Sequence, residues 1–544
     1  MLILNYIFFF FLIILTFLSI SGYGAVFNNH KNINIFEKLF LGFIFLAFFN
    51  TFFHFFFKLN FYVNLLILLL GIIFFKINKI NIDKKKLFYF LIIIFLIPIF
   101  ITQKYHEDFG YYHLPYALSF LEEKIIFGLA NSNIAYTYNS IWLNVYPSFF
   151  TETKNYDFLT LPTFILFICF ILLLTHNFLN SKDWRLSNLF SIVLIFYYLL
   201  KFTRISEFGV DLPSSLYSNL AIFYFIKFFE TQDLDNKKNY FFLNTNFAVF
   251  SILIKLSSFP IILLTILLYL KNFKIFKKEY FQVKYMLIFF VTLVYYIQQF
   301  IYTGCLFFPT NLSCLDVDWF SQDFLEIKGI LEYINKSYAE AKNTMTSAVY
   351  LQNFNWFPYW LKRNYLEILE HISTMLIPFF IIFFMIKKKE TSYYSFNYVS
   401  FCLTTFVICG LIFWLSFSPV YRFAVPFFLT ISLLIILPFF SNKPITKKIF
   451  MIFLIISICF SFLKNLDRIL KKDQIFFGIQ KIKNFYIFDK ENSNSTLDIY
   501  YVDIEKNMKN GWQGRLCWDI PFVCSNKKIK SNNINGYLFL SENN

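Results

Sequence analysis

Apolar runs close to 20 residues long recur from the first residues of this chain to beyond position 460, and they restrict its fold more than any other feature. A helix rising 1.5 Å per residue needs about 20 apolar residues to cross a hydrocarbon core about 30 Å thick. Windows at 3–20, 36–57, 60–76, 87–102, 158–179, 187–201, 214–229, 242–256, 259–270, 285–302, 371–386, 395–417, 423–440 and 446–463 meet or approach that length. They predict an all-α polytopic membrane protein of about 14 transmembrane helices. With 58% hydrophobic residues, 15% charged residues and a mean hydropathy of +0.57, the composition excludes a soluble globule. The first run has no basic region before it and is long enough to remain as a span, so it is read as a helix and not a cleaved signal.

The net charge of +16 does not point to nucleic acid. Only six of the 49 basic residues are arginine, and the 83 Phe, with abundant Ile and Asn, carry the imprint of an A/T-rich genome. The lysine clusters at 76–86, 271–284, 387–389 and 443–448 instead fall on one side of the membrane when every span is counted, and the positive-inside rule makes that side cytoplasmic. The extracytoplasmic side then receives 103–157, 303–370 and the tail. This divides the chain into a transmembrane domain, 1–463, and a small α/β C-terminal extracytoplasmic segment, 464–544. A helix is expected over 322–342 and short strands at 485–488 and 498–504.

Two local features refine the topology. In 242–270, the sequence Lys255-Leu256-Ser257-Ser258-Phe259-Pro260 divides the apolar stretch into two short pieces, and basic loops flank both ends. An even number of crossings is required, which predicts a helical hairpin broken at Ser257–Pro260. Broken backbone at that depth is tolerable only where protein or a water-filled cavity surrounds it, so the break is a candidate site. In 114–124, Pro115 suits a first helical turn, and Leu114, Ala117, Leu118 and Leu121 share one face, predicting a helix lying along the interface.

Four of the eight cysteines lie in predicted spans. The others form two close pairs on the extracytoplasmic side, where thiols oxidise, so disulfides are predicted between Cys305 and Cys314 and between Cys517 and Cys524.

Polar chemistry concentrates in few places. Tyr105-His106-Glu107-Asp108-Phe109-Gly110-Tyr111-Tyr112-His113 gathers two carboxylates and two imidazoles at the mouth of a span. Glu107 or Asp108 could act as a general base toward an acceptor hydroxyl or amine, or hold a divalent cation; solvated loop acids are the plainer reading. His113 and Tyr112 are candidates to line the same pocket. Arg422, alone in the short turn Ser418–Pro426, suits a lipid phosphate because guanidinium forks match phosphate oxygens. Lys255, inside an apolar stretch, costs a few kcal/mol unless paired or snorkelling. A mixed-charge loop, 201–211, adds Arg204 and Asp211 as a polar lip. Five of the six arginines map outside, against the positive-inside trend, as recognition of an anionic substrate would require.

This pattern resembles the GT-C glycosyltransferases, polytopic enzymes that take sugar from a polyprenyl-phosphate donor at the outer membrane face. Glu107-Asp108, followed by Tyr111, Tyr112 and the 114–124 helix, resembles the acidic pair of that superfamily's first large outside loop. Tyr421-Arg422-Phe423-x-x-Pro426 resembles its short Arg-Phe or Arg-Tyr segment before a late span. Together with Glu-Phe-Gly-x-Asp at 207–211 and the cysteine pairs, these motifs are similar to a bacterial group of membrane proteins with GT-C character. The resemblance implies a glycosyltransferase of the bacterial inner membrane with Asp108 as catalytic acid/base. The chain departs from the usual plan in placing three spans before the one that precedes the acidic loop. The rival classes are a flippase or transporter and a polymerase or ligase of lipid-linked glycans. Transfer requires Asp108, Asp211, Lys255 and Arg422 to converge around one outward-facing cavity.

Overall fold

The structure, a computed structural model, describes residues 2–27, 33–78, 86–102, 108–149, 159–181, 186–203, 209–273, 283–321, 323–385, 398–437, 447–471, 487–492, 498–502, 517, 523–525 and 528–542. Helices dominate them. In chain order these are α1 (Leu2–Phe27), α2 (Ile35–His54), α3 (Phe61–Ile77), α4 (Lys86–Ile101), α5 (Leu114–Glu122), α6 (Leu161–Asn180), α7 (Leu186–Lys201), α8 (Asp211–Glu230) and α9 (Leu234–Ile254). There follow α10 (Ile262–Lys271), α11 (Val283–Thr303), α12 (Asp323–Asn335), α13 (Ser347–Leu351), α14 (Phe357–Met385), α15 (Tyr398–Phe417), α16 (Val425–Ile436) and α17 (Lys447–Leu470). Each apolar window of the sequence falls on a helix. Among the described residues, five helices are long and apolar enough to cross a membrane: α2, α6, α11 from Tyr285, α15 and α17.

Burial separates central from peripheral helices. Leu161 to Thr175 of α6 are buried without interruption, whereas α3, α11, α15 and α17 leave Leu, Ile and Phe side chains exposed along one face. Apolar stripes of that extent are stable only against lipid or another apolar surface. Close helix crossings use small residues, as is usual where van der Waals packing drives association. A Cβ on Gly24 would sit 1.6 Å from the Lys38 carbonyl oxygen, and one on Gly42 1.9 Å from that of Ile20, so these two glycines let α1 and α2 touch backbone to backbone. The start of α2 is fixed by a capping box in which Asn34 accepts from the Glu37 N–H and Glu37 accepts from the Asn34 N–H.

The broken hairpin forms, with one change in its limbs. α9 begins at Leu234 and is 21 residues long, a full-length limb, because Asp233 caps it well upstream of the apolar window. Lys255 is extended, Leu256–Ile261 makes a 3₁₀ turn, and α10 folds back so that Thr265 donates to Asn244 of α9 at 2.9 Å.

At one end of the bundle, loop segments assemble into a cap. α5 lies inside it and not along a lipid interface as expected: every residue from Leu114 to Phe120 is buried, so the apolar face inferred from sequence was one side of a helix enclosed all round. Tyr116 of α5 donates to Asn144 at 2.6 Å, Asn139 and Asn144 both donate to Gln298 of α11 at 2.9 Å, and Asn144 donates to Thr51 of α2 at 2.6 Å. A buried network satisfied this fully fixes a unique arrangement. α12 stops at Asn335, short of the expected 342, because Ser337 takes a left-handed conformation (φ 65°).

The C-terminal segment contains β1 (Ile487–Asn492) antiparallel to β2 (Asp498–Val502), which pairs in parallel with β3 (Cys524–Ser525). A hairpin, β4 (Ile529–Ile534) and β5 (Tyr537–Glu542), turns through Asn535 and Gly536, both at positive φ, as a two-residue Asn-Gly turn requires. The hairpin docks on the cap: Phe127 exchanges backbone hydrogen bonds with Leu538 and Leu540, and its ring stacks on Phe539 at 4.3 Å. Both disulfides are present, Cys305–Cys314 and Cys517–Cys524. Structural disulfides persist in oxidising, non-cytosolic compartments.

Candidate functional site

Three residues far apart in sequence meet where α8 begins, where α9 breaks and where α15 turns into α16. Asp211 is the first residue of α8, where the helix dipole favours a negative charge. One of its carboxylate oxygens lies 2.8 Å from Arg422 Nε, and the other pairs with Lys255 Nζ. The counter-charge that Arg422 and Lys255 lack in sequence is thus supplied by Asp211. Lys255 Nζ also lies 3.3 Å from the Phe423 ring centroid, a cation–π contact.

Each member is positioned from its own element. Lys255 projects from the extended residue that ends α9, whose Leu253 carbonyl accepts from the Ile141 N–H of the cap. The adjoining turn is tied to α8 by Ser258, whose hydroxyl meets that of Ser214 at 2.7 Å. Arg422 sits on the 3₁₀ turn Tyr421–Ala424, and the chain entering it is held by Trp360 Nε1 donating to the Pro419 carbonyl at 2.6 Å and Trp414 Nε1 to that of Val420 at 2.8 Å. Asn335 donates to the Ser418 hydroxyl at 2.8 Å. The 303–370 segment therefore fixes the arginine turn.

Asp108 enters through a π turn, Phe109–His113, in which the Leu114 N–H donates to the Phe109 carbonyl. Such turns are rare and occur often at functional sites. His113 closes the turn, is buried, and lies near enough to Asp211 for their charges to interact. The turn thus links Asp108 at its first end to the Asp211 cluster at its other. Tyr112 packs on His113 with ring centroids 4.1 Å apart, and Asn133 Nδ2 donates to the Tyr111 carbonyl at 3.0 Å. Burial, reinforced by the Asp108 charge, holds the Tyr111 phenol above its ordinary range.

Of the residues singled out from sequence, Asp211, Lys255 and Arg422 come together, His113 joins them electrostatically, and Asp108 and Tyr112 lie on the turn that carries His113. Glu107 and Arg204 lie outside the described residues, as do His106 and the lysine clusters beyond their edges. Among the described residues, no group of three or more His, Cys, Asp or Glu side chains could hold a metal ion. Sequence reasoning passed over a polar cluster at the C-terminal ends of α4, α7 and α17. There Thr102 donates to Asn465 Oδ1 at 2.6 Å, Asn465 Nδ2 donates to the Thr203 carbonyl at 2.5 Å, and Arg468 reaches Asn465 Oδ1 at 2.8 Å. The signal was available, since Asn465 and Arg468 are one helical turn apart on a helix otherwise apolar through its middle.

Helices of membrane-spanning length, an ion cluster at a broken hairpin and a disulfide-bearing cap together define a helical, membrane-associated protein with one elaborated polar end. The chain belongs to the family whose model, described as a domain of unknown function (DUF8201), matches residues 3–429. That match includes Asp108, His113, Asp211, Lys255 and Arg422. No curated protein and no solved structure matches the chain.

Proposed function

We propose that the protein is a GT-C-like glycosyltransferase that moves a sugar from a polyprenyl-phosphate donor to an acceptor at the outer face of a bacterial inner membrane. The observation that supports it is the meeting of Asp211, Lys255 and Arg422, from three separate parts of the chain, with His113, at the end of the turn that follows Asp108, in electrostatic reach of Asp211. In this reading the 14 apolar windows all cross the membrane, and 103–157, 303–370 and the tail share the extracytoplasmic side.

The chemistry is a single displacement. Asp108 takes the proton of an acceptor hydroxyl as its oxygen attacks the anomeric carbon, and the bond from that carbon to the phosphate oxygen breaks with its electron pair on the phosphate. Arg422 and Lys255 receive the charge that develops there, and Asp211 holds both cations in place. Inversion at the anomeric carbon is the stereochemical consequence.

The test is transfer in proteoliposomes with polyprenyl-phosphate sugars, measuring released polyprenyl phosphate together with glycosylated product. Asp108→Asn should keep folding and abolish transfer, and full activity in that variant removes the central role assigned to Asp108. The broken hairpin and paired intramembrane ions also suit a transporter of lipid-linked glycans. Movement of an intact lipid-linked sugar across the bilayer without product would favour that second reading.

A further inference from the structure

We infer that the disulfide loop 305–315 is a hook that dips into the outer leaflet of the bilayer beside α11, which makes the acyl region of the membrane its partner. The inference rests on the reading of α11 as a membrane span, and it begins with charge. From Tyr285 to Leu315 the sequence contains no Asp, Glu, Lys or Arg, so the uncharged stretch continues 12 residues beyond the end of α11 at Thr303 and stops only at Asp316. A chain leaving the membrane for water normally acquires charge at once; this one delays it across a whole loop.

The loop also turns back along the helix it has just left. On α11, Met286, Phe289, Phe290, Leu293 and Ile297 form an exposed apolar face, while Gln298 and Tyr302 point into the buried polar network. Phe307 packs on Tyr296, beside that face, with ring centroids 4.6 Å apart. At 1.5 Å per residue, Tyr296 lies about 10 Å along the axis below Thr303, so Phe307 reaches well inside the length that α11 needs to cross a hydrocarbon core. Exposed apolar side chains on α11 are thus followed by exposed Leu306, Phe307, Leu312 and Leu315 on the loop, with Leu312 97% exposed. Phe308 points the other way and anchors the loop to the cap through Tyr138, ring centroids 4.9 Å apart.

Non-helical backbone enters an apolar phase only when its polar groups are internally paired. The loop meets much of that demand itself. Leu306 N–H donates to the Ser313 carbonyl, Phe307 N–H to the Ser313 hydroxyl, Thr310 N–H to the Phe307 carbonyl, Cys314 N–H to the Asn311 carbonyl and Leu315 N–H to the Gly304 carbonyl. The Cys305–Cys314 bond closes the hook at its base.

The experiment uses the full-length protein in phosphatidylcholine vesicles, carrying either Leu312→Trp or Leu293→Trp, with the unsubstituted protein run in parallel to subtract native tryptophan emission. The added Leu312→Trp emission should fall by about half or more when the lipid is brominated at the 6,7 positions, and should be insensitive to iodide. Iodide quenching at that position, or insensitivity to both quenchers while Leu293→Trp is quenched by bromolipid, shows the loop in water or against protein and overturns the hook. If Leu293→Trp is itself insensitive to bromolipid, the membrane-spanning reading of α11 fails, and the hook fails with it.

Discussion

Replacing Asp211 by Asn is the most informative single perturbation, because it removes a carboxylate that the structure places against both Lys255 and Arg422. Charges about 4 Å apart attract by about 4 kcal/mol at an effective dielectric near 20. Two such attractions meet on one carboxylate; repulsion between the two cations and the desolvation of all three groups consume most of that gain. Losing one partner of a buried pair costs about 3–5 kcal/mol, and of an exposed pair about 1 kcal/mol or less. With side chains 16% exposed for Asp211, 22% for Lys255 and 38% for Arg422, the cluster lies between those limits. Asp211→Asn should therefore destabilise the protein by about 2 kcal/mol. Adding Lys255→Met should return part of the loss, since the second change removes a cation that has lost its Asp211 partner. The assay is reversible unfolding by SDS in mixed micelles, read by circular dichroism, on the two single variants and the double. If their effects add to within about 0.5 kcal/mol, Asp211 and Lys255 are not coupled and the cluster does not exist as described.

Other expectations are simpler to check. Alkylation in SDS without reductant should modify four of the eight cysteines, Cys169, Cys402, Cys409 and Cys459, and reductant should release the other four. Gly24→Ala should weaken the crossing of α1 and α2 by about 1–3 kcal/mol, read in the same SDS titration, because the added methyl overlaps the Lys38 carbonyl. Tyr138, in the cap, has its phenol pushed up to about 12 by burial. The unfolded chain releases that proton near pH 10 and the folded one does not, so Tyr138 favours unfolding increasingly between about pH 10 and 12. Tyr138→Phe should flatten the decline of stability over that window and leave neutral-pH stability little changed; an identical decline in both proteins contradicts the assignment.

Hydropathy located a helix at each apolar window, because a helix facing lipid or core must be apolar over several turns whatever its neighbours are. It also found the break at Lys255–Pro260, where a lysine, two serines and a proline interrupt an apolar run. What it could not supply was partnership. Arg422 reads as an isolated cation in its own turn, and only the packing of α8 against that turn reveals Asp211 as its counter-ion. The enclosure of α5 was missed for a related reason: a helix can present an apolar face in sequence and still be covered on the polar one, if groups such as Tyr116 find partners such as Asn144. The hairpin of β4 and β5 was not expected from sequence, although Asn535-Gly536 marks its turn, and neither was its docking on Phe127. Nothing local distinguishes a strand edge that will be paired from one that will not.

That docking has a consequence for how the protein is made. Asn131, in the loop just beyond Asp108 and His113, donates to the Leu540 carbonyl, 409 residues away in sequence. Gly128 takes a left-handed conformation (φ 70°) under the same carbonyl, where a Cβ would lie 2.1 Å from it. The loop that follows α5 is therefore latched by residues that leave the ribosome hundreds of positions later. Until they have been synthesised, the segment bearing Asp108 lacks that part of its support. Completion of the cap therefore waits on the last residues of the hairpin, which a chain truncated before Leu540 lacks.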